Sequence, residues 1–238
     1  MTPYPYPLVT VLPQANLVWL LDASVGVTTV GGGDDTVTLW EDQRGTNDMD
    51  VVTGDPQLVT GGINGNSYIA FDGAGDTLQR TASITLPSGA SERTLITVQD
   101  YHSSGVGGVA YGNAANNQTF GNAVNSSGFL MFQRFGVAFD LVATGVSGVS
   151  ADIQVQTSHL TAGIGQRVFR NTTNVASDVA PAASNTVNNV ILFARDMDGS
   201  PDVAMDLYLV ALYSPALSWG QILQAVRALR VRFATNYL

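Results

Sequence analysis

The chain is written in short runs. LVWLL (17–21), TVTLW (36–40), YIAFD (68–72), TLITVQ (94–99), GFLMFQRF (128–135), DIQVQTSHLT (152–161), QRVFRN (166–171), NVILFAR (189–195) and MDLYLVALY (205–213) are rich in β-branched and aromatic residues, with Gly, Asn, Asp or Ser between them. Breaks this frequent leave no room for long helices in that span, so the pattern predicts many short strands in a sandwich or barrel. At 238 residues the chain suits one large all-β domain, and no internal repeat or heptad run argues otherwise. The glycine-rich stretches TVGGGDD and SSGVGGVAYGNAANNQTFGN are expected as loops outside the core.

One segment departs from this pattern. In SWGQILQAVRALRVRFATNYL, Ser218 stands three residues before Gln221, the spacing of a capping box. Ile222, Val226, Leu229 and Phe233 then recur at helical intervals, with Arg227, Arg230 and Arg232 expected to point away from that face. A short C-terminal α-helix therefore closes the domain.

Charge excludes one class of partner. The net charge is −9, from 17 Asp and two Glu against ten Arg and no Lys, and such a surface repels phosphate backbones. There is no Cys, so disulfides, thiolate metal sites and Cys nucleophiles are absent together. The N-terminal MTPYPYPLVTVLP has no basic residue, and prolines interrupt its apolar stretch, unlike a signal peptide. No segment reaches the ~20 apolar residues of a membrane span. Residues 1–16 are expected as an extended Pro-rich arm suited to docking on a neighbouring subunit, and residues 17–238 as the domain.

LVWLLDAS, VTLWEDQRGTND, the Gly-Ile-Asn-Gly segment leading into YIAFDGAGDTL, ERTLITV and LYLVALYSPALSWGQILQAVRALRVRFATNYL together resemble the concanavalin A-like, laminin-G-like jelly-roll domains, over almost all of 17–238. The resemblance implies a two-sheet antiparallel jelly-roll sandwich in which one concave face often binds glycans and Ca²⁺ is common. It does not fix function, because the same fold serves lectins, protein binders, glycanases and architectural parts. Relatives often carry Glu within the strand before the final Tyr, whereas this chain reads Leu-Val-Ala-Leu ahead of Tyr213.

Asp72 and Asp76 flank Gly73-Ala74-Gly75, and carboxylates on a tight glycine turn are candidate ligands for Ca²⁺. The same residues also make an ordinary turn, with Asp72 accepting a backbone hydrogen bond two residues on. Asp196, Asp198 and Asp202 in ARDMDGSPD resemble the start of a calcium loop but lack its closing Glu; a hairpin turn between the flanking runs is the alternative. Trp19 and Trp40 end apolar runs and are expected in the core, while Asp42 or Arg44 ties down loop amides and Trp219 staples the helix.

Enzymatic signals are few. Glu41 and Glu92 are the only glutamates, so the Glu-x-Asp-x-x-Glu strand of the jelly-roll glucanases does not occur. No nucleophile elbow is present, and His102 and His159 fall at spacings that make no catalytic pair, His159 being expected as partly buried. The stretch with Tyr101, His102, Tyr111, Asn113, Asn117, Phe120 and Asn122 mixes aromatics with amides, the side chains that stack on and hydrogen-bond to sugars, and is the candidate ligand site.

These features predict a non-catalytic, lectin-like protein that binds a polysaccharide, as a decoration, spike or fibre part of a bacteriophage-like particle. Its expected setting is a virion or the extracellular space, reached from the cytoplasm by lysis, with other particle subunits or a homo-oligomer as partners. A purely structural jelly-roll part is the first alternative, and a polysaccharide lyase or hydrolase of the same fold the second.

Overall fold

The computed structural model describes residues 12–133, 140–148, 151–158, 165–179, 185–199 and 202–233. In chain order come β1 (Leu17–Asp22), β2 (Val27–Gly31), β3 (Asp34–Trp40), β4 (Val51–Thr53), β5 (Gln57–Val59), β6 (Tyr68–Asp72), β7 (Thr77–Arg80) and β8 (Arg93–Tyr101). Then follow β9 (Gly107–Gly112), β10 (Phe120–Val124), β11 (Phe129–Gln133), β12 (Leu141–Ser147), β13 (Ala151–Ser158), β14 (Gln166–Arg170), β15 (Thr173–Asp178), β16 (Val190–Phe193), β17 (Ala204–Tyr213) and the helix α1 (Trp219–Phe233).

They build the expected all-β architecture, two antiparallel sheets forming a sandwich with one C-terminal helix. The larger sheet runs β15-β14-β13-β8-β17-β6-β5-β3-β2, with β1 also paired to β17; the smaller runs β12-β11-β10-β9-β16-β7-β4. Period-two alternation decides which side chains meet between the sheets. On β17, Met205, Leu207, Val210 and Leu212 enter the inter-sheet core beside Trp19, Trp40, Phe71, Leu95 and Phe193. A register shift between Leu207 and Leu209 against β8 places Tyr208 and Leu209 together on the opposite, outer face. Both Trp19 and Trp40 are fully buried, as their positions predicted.

The helix covers that outer face. Ser218 and Gln221 cap it reciprocally: the Ser218 N–H donates to Gln221 Oε1 at 2.9 Å and the Gln221 N–H to Ser218 Oγ at 3.4 Å. Ile222, Ala225, Val226, Leu229 and Phe233 pack onto Leu20, Ile96, Ile153, Val155 and Tyr213, and Leu12 joins the same cluster. Burial of each large apolar side chain contributes about 2 kcal/mol, so packing rather than propensity holds the helix. Trp219 is 46% exposed and stacks on Phe169 with centroids 5.0 Å apart.

Three expectations need correction. Arg232 does not point away but turns back to Asp22 at the end of β1. The second glycine-rich stretch is not a loop: it contains β9 and β10, in the middle of the smaller sheet. Glycine is what lets these strands approach, since a Cβ on Gly121 would lie 2.4 Å from Ala110 Cβ. ARDMDGSPD is not a hairpin turn, because β16 and β17 belong to different sheets. Residues 1–11 of the expected 1–16 arm, together with His159, lie outside the described residues.

Candidate functional site

Helix α1 stops short of one end of the larger sheet. Its last residue, Phe233, meets Tyr208 edge-on, with centroids 5.6 Å apart. Beyond that contact, alternation sends Tyr68, Ala70 and Asp72 of β6, Asp206 and Ala204 of β17, and Asp100 of β8 to the outer face. Asp206 stands opposite Ala70 on one side and Asp100 on the other. Along β6, Ala70 separates Tyr68 from Asp72.

The strip has a defined geometry. Tyr68 and Tyr208 rings lie 5.0 Å apart at 38°, and the Ile63 N–H reaches the Tyr208 hydroxyl at 3.4 Å. His102 follows directly on β8, and its Nε2 sits 3.1 Å from Asp206 Oδ2, with the His102 side chain 48% exposed and that of Asp206 17%. The His102 N–H donates to Ala204 O at 2.9 Å, and the Ala204 N–H to Ser103 Oγ at 3.3 Å. These bonds fix the loop that carries the imidazole.

Burial holds the Asp206 carboxyl above its ordinary value, against the pull of His102. Burial also raises the Tyr68 hydroxyl, with Asp206 adding to the rise. Tyr208 is pushed up to about 12 by burial first, then by Asp206, Tyr68 and Asp100, against the Ile63 N–H. Both hydroxyls therefore stay protonated and able to donate, while the carboxylates accept. Tyr208 is itself only 3% exposed, so Tyr68, His102 and the carboxylates are the groups of this strip that a polyhydroxylated ring would meet.

The residues nominated from sequence are mostly elsewhere. Of them, only His102 and Asp72 reach this face. Tyr101, Tyr111, Phe120 and Asn122 were expected in loops but sit on strands with side chains turned between the sheets, each at most 1% exposed. Tyr111 and Phe120 enclose Arg93: Nη1 donates to the Tyr111 hydroxyl at 2.7 Å, and Cζ lies 4.7 Å from the Phe120 centroid. Asn113 and Asn117 do lie in the β9–β10 connection, where Asn113 Oδ1 accepts the Ala115 N–H at 3.0 Å.

Tyr101 and Asn122 belong to a polar seam inside the sandwich. Gln99 Nε2 donates to Gln154 Oε1 at 2.9 Å, and Asn122 Nδ2 crosses from the smaller sheet to Thr97 Oγ1 at 3.0 Å. Gln99 Oε1, the Tyr101 hydroxyl, Asn122 Oδ1, Gln154 Nε2 and both polar side-chain atoms of Gln166 are buried without a hydrogen-bond partner.

The aspartate turns are occupied by backbone. Asp76 accepts the N–H of Asp55 at 2.8 Å and of Asp72 at 3.1 Å, and Asp72 Oδ1 accepts the Ala74 N–H at 2.6 Å. Asp196 Oδ1 accepts the Met197 N–H at 2.6 Å, Asp202 is held by Arg195, and Asp198 is exposed. Among the described residues, no group of three or more His, Asp or Glu stands in a metal-holding arrangement. Asp42 accepts the backbone N–H of Leu20, Arg44 and Asn47, the anchoring role read for that segment.

Sequence reasoning missed Tyr68, Asp100, Asp206 and Tyr208. A signal was available: in YIAFD and MDLYL, polar or amphipathic residues alternate with Ile69, Phe71, Met205 and Leu207, which marks an outer face.

No family model and no curated protein matches the sequence. The fold is similar to that of Trypanosoma rangeli sialidase in complex with sialic acid: 15% identity, TM-score 0.60, over 94% of this chain and 35% of that one. It is also similar to the binding domain of Paraclostridial Mosquitocidal Protein 1, at 15% identity and TM-score 0.61, over 90% of this chain and 52% of that one. The chain thus spans about a third of the sialidase and about half of the mosquitocidal domain. At these identities the likeness establishes the β-sandwich fold.

Proposed function

We propose that the chain is a non-catalytic, lectin-like glycan-binding module of the concanavalin A-like, laminin-G-like class. The observation that carries this reading is the strip of the larger sheet beyond the helix, where Tyr68, Asp100, His102 and Asp206 gather on one face beside the buried Tyr208. Likeness to a sialidase solved with sialic acid supports a carbohydrate ligand, and likeness to the binding domain of Paraclostridial Mosquitocidal Protein 1 supports a binding role. Asp100 and Asp206 are cross-strand neighbours on the same face, so they approach a bound ring from one side. Hydrolysis of a glycosidic bond asks for carboxylates that flank it. Such a one-sided pair does not suit two-carboxylate hydrolysis, and on this proposal the strip is a binding surface.

Attachment to surface polysaccharide as part of a bacteriophage-like particle is the finer form of this proposal. Its support is the Pro-rich start of the sequence, a segment suited to docking on a neighbouring subunit.

The experiment is a binding screen of the purified chain against a broad panel of polysaccharides, repeated with Tyr68→Ala and with assay for released reducing ends. Retention that weakens in the variant, without product, supports the module. Steady product release would replace it with an enzyme, and silence across the panel with an architectural part.

A further inference from the structure

We propose that Asn64 is a site of spontaneous covalent modification, at which the side-chain amide is lost as ammonia, and that the docked end of the helix gates the reaction. Asn64-Gly65 is the one Asn-Gly step in the sequence. Both residues are exposed in the connection between β5 and β6, and glycine puts no side chain in the way of a ring closing onto its nitrogen.

The chemistry needs only water. The Gly65 backbone nitrogen attacks Asn64 Cγ: the N–Cγ bond forms, the Cγ–Nδ2 bond breaks, and the Gly65 proton leaves with Nδ2 as ammonia. Solvent water then opens the cyclic imide at either carbonyl, its hydroxyl going to carbon and its remaining proton to nitrogen. The products are aspartate and isoaspartate, the latter with an extra methylene in the backbone.

In the folded chain the reacting groups are occupied. Asn64 Nδ2 donates to Arg232 O at 2.7 Å, which holds the side chain toward the last turn of α1. The Gly65 N–H donates to Gly62 O at 2.9 Å, so its proton is engaged inside the turn. Asn66 braces the same junction: its Nδ2 reaches Ile63 O at 2.9 Å and Arg232 O at 3.2 Å, and its Oδ1 accepts from Arg232 Nε at 2.7 Å. Reaction therefore waits for the turn to leave the helix, a local opening. It is also one-way. A carboxylate at position 64 has no proton to give Arg232 O, and the Arg232 terminal nitrogens are committed to Asp22, so the modified turn docks less firmly.

The test is peptide mapping by mass spectrometry of the full chain aged at mildly alkaline pH, in buffer and in urea, following the acid and isoaspartate forms at position 64. Each folded rate is divided by the same chain's rate in urea. For the wild type the expected ratio is about one tenth or below, set by the population of the opened turn. Asn66→Ala, checked as folded by circular dichroism, should raise that ratio several-fold. Asn64→Asp, which carries the product side chain from the start, should unfold at a lower urea concentration than the wild type.

No modification in urea overturns the site. A wild-type ratio near one overturns the gate, as does an Asn66→Ala ratio equal to that of the wild type. An unchanged or higher urea midpoint in Asn64→Asp, a measurement that does not depend on the Asn66 variant folding, overturns the one-way consequence.

Discussion

Arg232 grips Asp22 with both terminal nitrogens: Nη1 lies 2.7 Å from Oδ2 and Nη2 2.8 Å from Oδ1. The pair joins the last turn of the helix to the end of the first strand, and both side chains are largely buried. Asn64 and Asn66 complete the junction by donating to Arg232 O at 2.7 and 3.2 Å. Removing one partner of such a pair leaves the other buried and uncompensated. Arg232→Ala should therefore lower stability by about 3 kcal/mol. Urea denaturation measures it, and a loss below about 1 kcal/mol, the range of exposed pairs, would show the bridge to be superficial.

Acid should stabilise this protein before it harms it. Asp22, Asp76 and Asp206 are all held above the ordinary 3.8, burial being the first cause in each. A carboxyl whose folded value exceeds its unfolded one binds its proton more tightly when folded. Its ionisation then costs stability at neutral pH, and that cost is relieved as pH falls through the raised value, fully so below 3.8. The melting temperature should rise as pH is lowered from neutral toward that region. A steady fall over the same interval would contradict the assignment.

The polar seam between the sheets predicts bound water. Each unpartnered buried polar group costs about 1–3 kcal/mol, so six such atoms in one half of the sandwich demand partners. A crystal structure at high resolution should place ordered waters against Gln99 Oε1, the Tyr101 hydroxyl and Asn122 Oδ1. Side chains rearranged to satisfy one another without water would refute this. Asn122→Ala removes the cross-sheet bond to Thr97 and should cost a similar amount.

The turn at Asp72 and Asp76 should behave as structure, not as a calcium site. Asp76→Ala strips the partners of two backbone N–H groups and should lower the melting temperature by several degrees, each lost bond to a carboxylate being worth about 1.5–3 kcal/mol. A chelator should leave the wild-type melting curve in place. A drop that added Ca²⁺ reverses would restore the metal reading.

Local signals wrote the fold plainly and the site poorly. The strands, the capped helix and the burial of Trp19 and Trp40 follow from alternation, capping chemistry and apolar runs, all of them local. Glycine misled, because in β9 and β10 it marks close approach of backbones rather than a loop; a Cβ on Gly108 would lie 2.5 Å from the Tyr101 hydroxyl. The strip at Asp206 was hidden for another reason. Its members come from β6, β8 and β17, and only the sheet order brings Tyr68, Asp100 and Asp206 together. Tyr101 and His102, adjacent in sequence, ended on opposite faces, which a list of sugar-like residue types does not separate.

The place of β17 governs the order in which this molecule can be made. It is the last strand among the described residues, yet it lies inside the larger sheet, with β8 along one edge and β6 and then β1 along the other. While the ribosome is still short of Ala204, β15-β14-β13-β8 and β6-β5-β3-β2 are two half-sheets with bare inner edges, and β1 has nothing to pair with. Such edges are templates for pairing with other chains. Nascent chains are therefore sticky until the closing strand emerges, and a product cut before Ala204 would accumulate as aggregate rather than as a smaller sandwich.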